Sequence, residues 1–315
     1  MDAIKKLLER ETAGDPMSGL KWTRKTTRKI AYELKSLGIV VGRTTVGKLL
    51  KKMNYSLKVN QKNIGAGKDP DRNEQFEYIS RQRKEAAADG IPVISVDTKK
   101  KEMVGQFKNP GAIWCQEARQ VNDHDFRSMA KGMAVPYGIY DEQANRGFMC
   151  VGTSSDTPEF AVENIVKWWR DEGAKRYPHA PEVLILADGG GSNGARCRLW
   201  KSALQEKLCD RFGLSVTVAH YPPGTSKWNP IEHRLFSEIS KNWAGAPLDS
   251  YETMLKYIRT TTAETGLKVR ARFVSKQYQK GIRVPDERLE ALNITRHDTL
   301  PKWNYTLRPM HNGVQ

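Results

Sequence analysis

Residues 182–194, EVLILADGGGSNG, decide how this chain is read. Val183 to Ala187 form an unbroken apolar run of strand length, the pattern of a strand buried on both faces. Asp188 closes the run at its carboxyl end, where open α/β sheets hold their ligands. The glycines that follow let backbone N–H groups approach an anion such as phosphate, and a helical pattern continues over 194–212. An aspartate at a strand end can also cap a turn, so the segment acquires chemical meaning only with partners.

The first partner lies upstream in residues 92–98, PVISVDT, a second apolar and β-branched strand that contains Asp97. A carboxylate inside such a strand is costly to bury unless it is paired or bound to a metal. Between the two strands, residues 134–140 and 147–153 read as a hairpin across a polar turn, and 158–172 as a helix through Phe160, Ile165 and Trp169. Residues 215–220 make another strand and 230–243 another helix. The order β, β, β, α, β, α, β, α is that of the ribonuclease H fold, an α/β mixed sheet flanked by helices. A polar helix over 71–88 precedes it. The tail offers a helix over 251–264, a short strand over 269–273 and a last helix over 285–293.

The third carboxylate comes from residues 231–239, IEHRLFSEI. Ile231, Leu235 and Ile239, with Trp243, recur every fourth residue and form the stripe that faces the sheet. Glu232 sits beside that stripe at the helix start, placed to lean toward Asp97 and Asp188, whereas Glu238 lies farther along. A glutamate at this position also favours the positive end of a helix. Hard oxygen ligands of this kind suit Mg²⁺, which keeps water and phosphate oxygens in its shell, and phosphoryl transfer on DNA uses two such ions.

Charge supplies the partner. The chain carries 52 Lys plus Arg against 36 Asp plus Glu, a net +16, and residues 1–68 alone hold 16 basic against 5 acidic side chains. A polyanion, nucleic acid above all, is expected. In this basic region one helical pattern runs through Ile30, Leu34 and Leu37. A second, with Thr44-Thr45 as its cap, runs through Val46, Leu49, Leu50 and Met53. Gly38 lies in the turn between. The second helix turns Arg43, Thr45, Lys48, Lys51 and Lys52 outward, the layout of a helix-turn-helix, winged-helix-like DNA-binding region. The expected organisation is 1–63 for that region, 64–90 for a linker and helix, 91–245 for the catalytic core and 246–315 for a C-terminal extension.

Residues 220–230, HYPPGTSKWNP, place a cation and an aromatic ring before Glu232, suited to phosphate contact and base stacking. Lys227, Trp228 and Asn229, with Lys99 and Asn193, are the remaining DNA-contact candidates. Residues 189–194 match G-x-G-x-x-G formally, but the acid about 20 residues on, Asp210, falls within a helical pattern rather than at a strand end, so a dinucleotide site is discounted. The four cysteines form no C-x-x-C pair and read as reduced core thiols. MDAIKKLLERE lacks a signal peptide's apolar core, and a cytoplasmic, nucleoid-associated protein is expected.

VDTKKKE (96–102), ADGGGSNG (187–194) and HYPPGTSKWNPIEHRLFSEISKNW (220–243) resemble the DDE transposases of bacterial insertion sequences, specifically the IS-Azo-thirteen family. The resemblance runs from DPMSGLKWT (15–23) to KWNYTL (302–307). It implies an Asp-Asp-Glu triad at Asp97, Asp188 and Glu232 holding two Mg²⁺ ions, for which Mn²⁺ can substitute. It also implies terminal inverted repeats and target DNA as partners, and a homodimer or higher oligomer on DNA. The lead before DPMSGLKWT is shorter than such transposases carry, so an N-terminally shortened form is expected. The alternatives are a structure-specific nuclease on the same fold and a catalytically inactive DNA-binding relative.

Overall fold

The computed structural model describes residues 2–9, 13–14, 21–22, 25–56, 69–122 and 127–310. The first residues of the expected 64–90 linker and helix, 64–68, lie outside them. Two compact units emerge, Met1–Gly65 and Ala66–Gln315.

The first unit holds helices α1 (Asp2–Glu9), α2 (Thr27–Ser36) and α3 (Arg43–Lys52), with a short pairing of β1 (Ala13–Gly14) and β2 (Lys21–Trp22) between α1 and α2. Thr26 caps α2 by accepting the Lys29 backbone N–H at 3.2 Å. Ile4, Ile30, Leu34 and Val46 are buried together, so each helix contributes one apolar face to a small core. Two details differ from expectation. Gly42, in extended conformation, occupies the N-cap of α3, so the helix starts at Arg43 and places Thr44 and Thr45 in its first turn. Leu37 ends α2 and is exposed instead of joining the apolar face.

In the second unit, α4 (Arg72–Ala88) leads into β3 (Val93–Thr98), β4 (Glu102–Val104), β5 (Gly132–Asp141), β6 (Arg146–Gly152), α5 (Pro158–Trp168) and β7 (Glu182–Ala187). Then follow α6 (Arg198–Leu204), β8 (Ser215–His220), α7 (Ser237–Asn242), α8 (Tyr251–Arg259), β9 (Lys268–Val274), α9 (Asp286–Glu290), β10 (Ile294–Arg296) and β11 (Asn304–Leu307). The sheet order is β10-β11-β8-β7-β3-β5-β6-β9, with β4 paired to β5. Strands β3, β7 and β8 are parallel to one another, and β5 is antiparallel to both β3 and β6. The centre of this sheet, β6-β5-β3-β7-β8, is the ribonuclease H-like arrangement. Residues of the tail join both edges: β9 runs parallel to β6, and β11 antiparallel to β8.

Alternation along the strands builds a layer on each face. Ile94, Val96, Val183 and Ile185 pack with Phe160, Ile165 and Trp168 of α5 and Trp200 and Leu204 of α6. On the other face Val93, Leu184 and Leu186 meet Tyr78 and Ile79 of α4, and Tyr140, Met149 and Val151 meet Ile231, Leu235, Ile239 and Met254. Cys150 and Cys209 are buried thiols, but Cys115 is exposed, so the cysteines are not all core residues. Among the described residues, no helix is long and apolar enough to cross a membrane.

Candidate active site

Register brings the aspartates together. Val96 of β3 pairs with Ala187 of β7 in parallel, so Asp97 stands level with Asp188, one residue past the end of β7. Across the antiparallel pair, Asp97 is partnered by Gly138 of β5. A Cβ on Gly138 would stand 2.5 Å from the Phe236 ring and 2.9 Å from Ile231 Cδ1. The missing side chain therefore lets the segment that bears Glu232 settle on the sheet beside Asp97. Glu232 begins a π-type turn, Glu232–Phe236, that leads into α7, and its backbone N–H donates to Asn229 O at 3.0 Å. Glu238 is turned to other use, paired with Lys241 at 2.7 Å.

A cleft of about 260 Å³ opens over the two aspartates, lined also by the 98–101 segment, Asp156, Gly190, Gly191 and Ser192. Asp156 is a fourth carboxylate, held by Thr98 Oγ1, which donates to its Oδ1 at 3.1 Å. In sequence it looks like part of the capping turn ahead of Pro158, and only the topology carries it to Asp97. Burial, then the Asp188 carboxylate, pushes Asp97 up from 3.8 to about 8, with Glu232 and Asp156 adding to the rise and the Thr98 N–H opposing it. Asp188 is also raised, chiefly by burial, against the Gly190 N–H that donates to it. Glu232 is raised by burial while the Lys99 charge pulls it down. Crowded, partly desolvated carboxylates of this kind are what a cation relieves.

Among the described residues, no three His, Cys, Asp or Glu side chains enclose a metal position. The donor set still fits Mg²⁺, which takes one or two carboxylates and completes its shell with water and phosphate oxygens.

The other candidates separate. Arg43, Thr45, Lys48, Lys51 and Lys52 are all exposed on α3, whose Val46 faces inward. Lys227 and Trp228 are exposed too, with Lys227 Nζ 4.0 Å from the Trp228 ring centre and the Arg72 guanidinium 4.7 Å from it. Phe76 of α4 meets the same ring edge-on.

Three residues are instead buried and engaged. Asn229 accepts Ser95 Oγ–H at 2.5 Å and donates to Val96 O at 3.4 Å, while Ser95 Oγ also accepts the Ile231 N–H at 3.0 Å. Its buried side chain latches the Glu232 turn to β3. Asn193 accepts Tyr137 O–H at 2.9 Å. Lys99 pairs with Glu102 at 2.9 Å and lies 4.6 Å from the Trp243 ring centre. Sequence reading missed Ser95, Asp156 and His220. The last is wholly buried at the end of β8, and burial lowers its imidazole to about 4. For Ser95 and His220 the available signal was a polar residue inside an apolar strand.

The family described as Rhodopirellula transposase DDE domain matches residues 3–309. No curated protein matches the chain. Similar solved structures include a Mos1 transposase paired-end complex with left transposon end, at 15% identity and TM-score 0.47, covering 82% of this chain and 69% of that one. Another is a Mos1 mariner paired end complex with Mn, at 14% identity and TM-score 0.46, covering 81% and 68%.

Proposed function

The chain belongs to the Rhodopirellula transposase DDE domain family and is a transposase of the polynucleotidyl transferase class; we propose that Asp97, Asp188 and Glu232 are its catalytic carboxylates. The reaction proposed is metal-dependent cleavage and joining of DNA strands at the ends of an insertion sequence. The observation that carries this reading is the register that levels Asp97 with Asp188, while Gly138 makes room for the turn bearing Glu232.

Asp97 and Asp188 would hold divalent metal from the strand side, and Glu232 from the helix side. Two bound Mg²⁺ ions, or Mn²⁺ in their place, would activate the attacking oxygen and stabilise the leaving one. The neighbouring Gly190 and Gly191 leave the backbone open to a phosphate. Lys227 and Trp228 offer a cation and a ring to the DNA strand. Arg43, Thr45, Lys48, Lys51 and Lys52 on α3 would contact duplex DNA at the terminal repeats, and the active form would be a homodimer or higher oligomer on that DNA.

Incubation with Mg²⁺ and a duplex oligonucleotide carrying the element end tests the reading. Nicking, followed by joining of the released 3′ end to a target duplex, is the expected result. Full cleavage by Asp188→Ala would overturn the assignment, and nicking without any joined product would indicate a nuclease instead.

A further inference from the structure

His220 and Tyr305 form a buried bracket on the loop that begins at Asp188. His220 ends β8, level with Ala187 of β7, and its Nδ1 lies 3.0 Å from the backbone carbonyl oxygen of Asp188. A carbonyl only accepts, so Nδ1 carries the proton and donates. In the neutral ring the other nitrogen, Nε2, is then an acceptor, and Tyr305 O–H stands 3.3 Å away as its donor. Tyr305 Oη in turn accepts Trp200 Nε1–H at 3.0 Å. The relay therefore runs in one direction from Trp200 of α6 through β11 and β8 to Asp188. Trp200, His220 and Tyr305 are all fully buried. Lys201 braces the far part of the same loop, donating to Ala195 O at 2.7 Å with its Nζ 5.3 Å from the Tyr305 ring centre. Gln75 of α4 fixes His220 from behind, its amide donating to the His220 carbonyl at 2.9 Å.

We propose that His220, oriented by Tyr305, is a positioning residue that fixes the Asp188 backbone and so aims the Asp188 carboxylate into the cleft. The glycines after Asp188 supply no side-chain packing of their own, so the direction of that carboxylate depends on the grip on the carbonyl together with the long 3.4 Å contact from the Gly190 N–H. Partners that orient ligand-bearing groups typically account for 10–100-fold in metal affinity or activity. The inference rests on the reading of Asp188 as a metal ligand.

The test compares His220→Leu with His220→Asn in the full chain. The amide nitrogen of asparagine occupies the place of Nδ1 and keeps the donor, whereas leucine removes it. Hydrogen exchange of the metal-free protein should quicken over residues 189–194 in His220→Leu and stay near wild type in His220→Asn. Mn²⁺ binding should weaken about 10–100-fold in His220→Leu, with kcat falling alongside and KM for DNA unchanged, and His220→Asn should stay within about threefold of wild type. Tyr305→Phe, which keeps the ring, should fall between the two.

Wild-type exchange over 189–194 in His220→Leu would overturn the proposal, as would equal damage in both His220 variants. Asp188→Asn, measured in parallel, separates the two claims. If it binds Mn²⁺ like wild type, the ligand reading fails, while the metal-free exchange still decides whether His220 holds the loop.

Discussion

Asp97 is the side chain on which the electrostatics of the cleft converge. Its pKa is raised to about 8 from 3.8, so between those values the folded protein keeps a proton that the unfolded chain has lost. Metal-free stability contributed by this group therefore falls as pH rises through that window. Asp97→Asn keeps an oxygen for the Thr98 N–H, which donates at 2.7 Å, and removes the charge. Denaturation in the presence of a chelator should show the variant gaining on wild type between pH 5 and pH 8, by on the order of 1–3 kcal/mol at the upper end, while cleavage is lost. An unchanged difference at the two pH values would refute the account of this group. Asp97 and Asp188 were legible in the sequence because each ends or interrupts an apolar, β-branched run. Asp156 was not, because its proximity arises from the return of β6 and not from any local pattern.

The turn Glu232–Phe236 depends on a close approach that only glycine permits. At Gly138 an added Cβ would meet the Phe236 ring and Ile231 at distances no real contact tolerates. Gly138→Ala should push this turn off the sheet, costing about 1–3 kcal/mol of stability and reducing cleavage, whereas Mn²⁺ binding through Asp97 and Asp188 should suffer less. Thermal unfolding and single-turnover cleavage measure the two effects, and a variant with wild-type values of both would remove Gly138 from the account. The apolar stripe of 231, 235 and 239 announced this helix in the sequence. The latch beneath it was not announced: Asn229 reads as an exposed loop amide until Ser95, 134 residues away, is seen to take it. Partnerships over such separations are set by strand order, and so β10 and β11 at the sheet edge also escaped the reading. In the N-terminal unit the apolar faces of α2 and α3 were legible, but the start of α3 was not, because glycine competes with threonine for the cap.

For the molecule as a whole, +16 of net charge makes DNA association salt-dependent, and the excess is concentrated before residue 69. If α3 meets DNA, Lys48→Glu with Lys52→Glu should weaken binding to the element end. The slope of log affinity against log salt should then drop by about one for each phosphate that is no longer neutralised. Metal-dependent nicking at saturating DNA should persist, and an unchanged slope would place the DNA-binding surface elsewhere. Composition points to a polyanionic partner, and the strand pattern made the central sheet legible. Metal exchange at Asp188 shows whether Asp97, Asp188 and Glu232 ligate the catalytic metal. Asp188→Cys should be inactive with Mg²⁺, which shuns sulfur, and should regain part of its cleavage with the more thiophilic Mn²⁺. Equal cleavage by the variant and the wild type in Mg²⁺ would contradict the assignment.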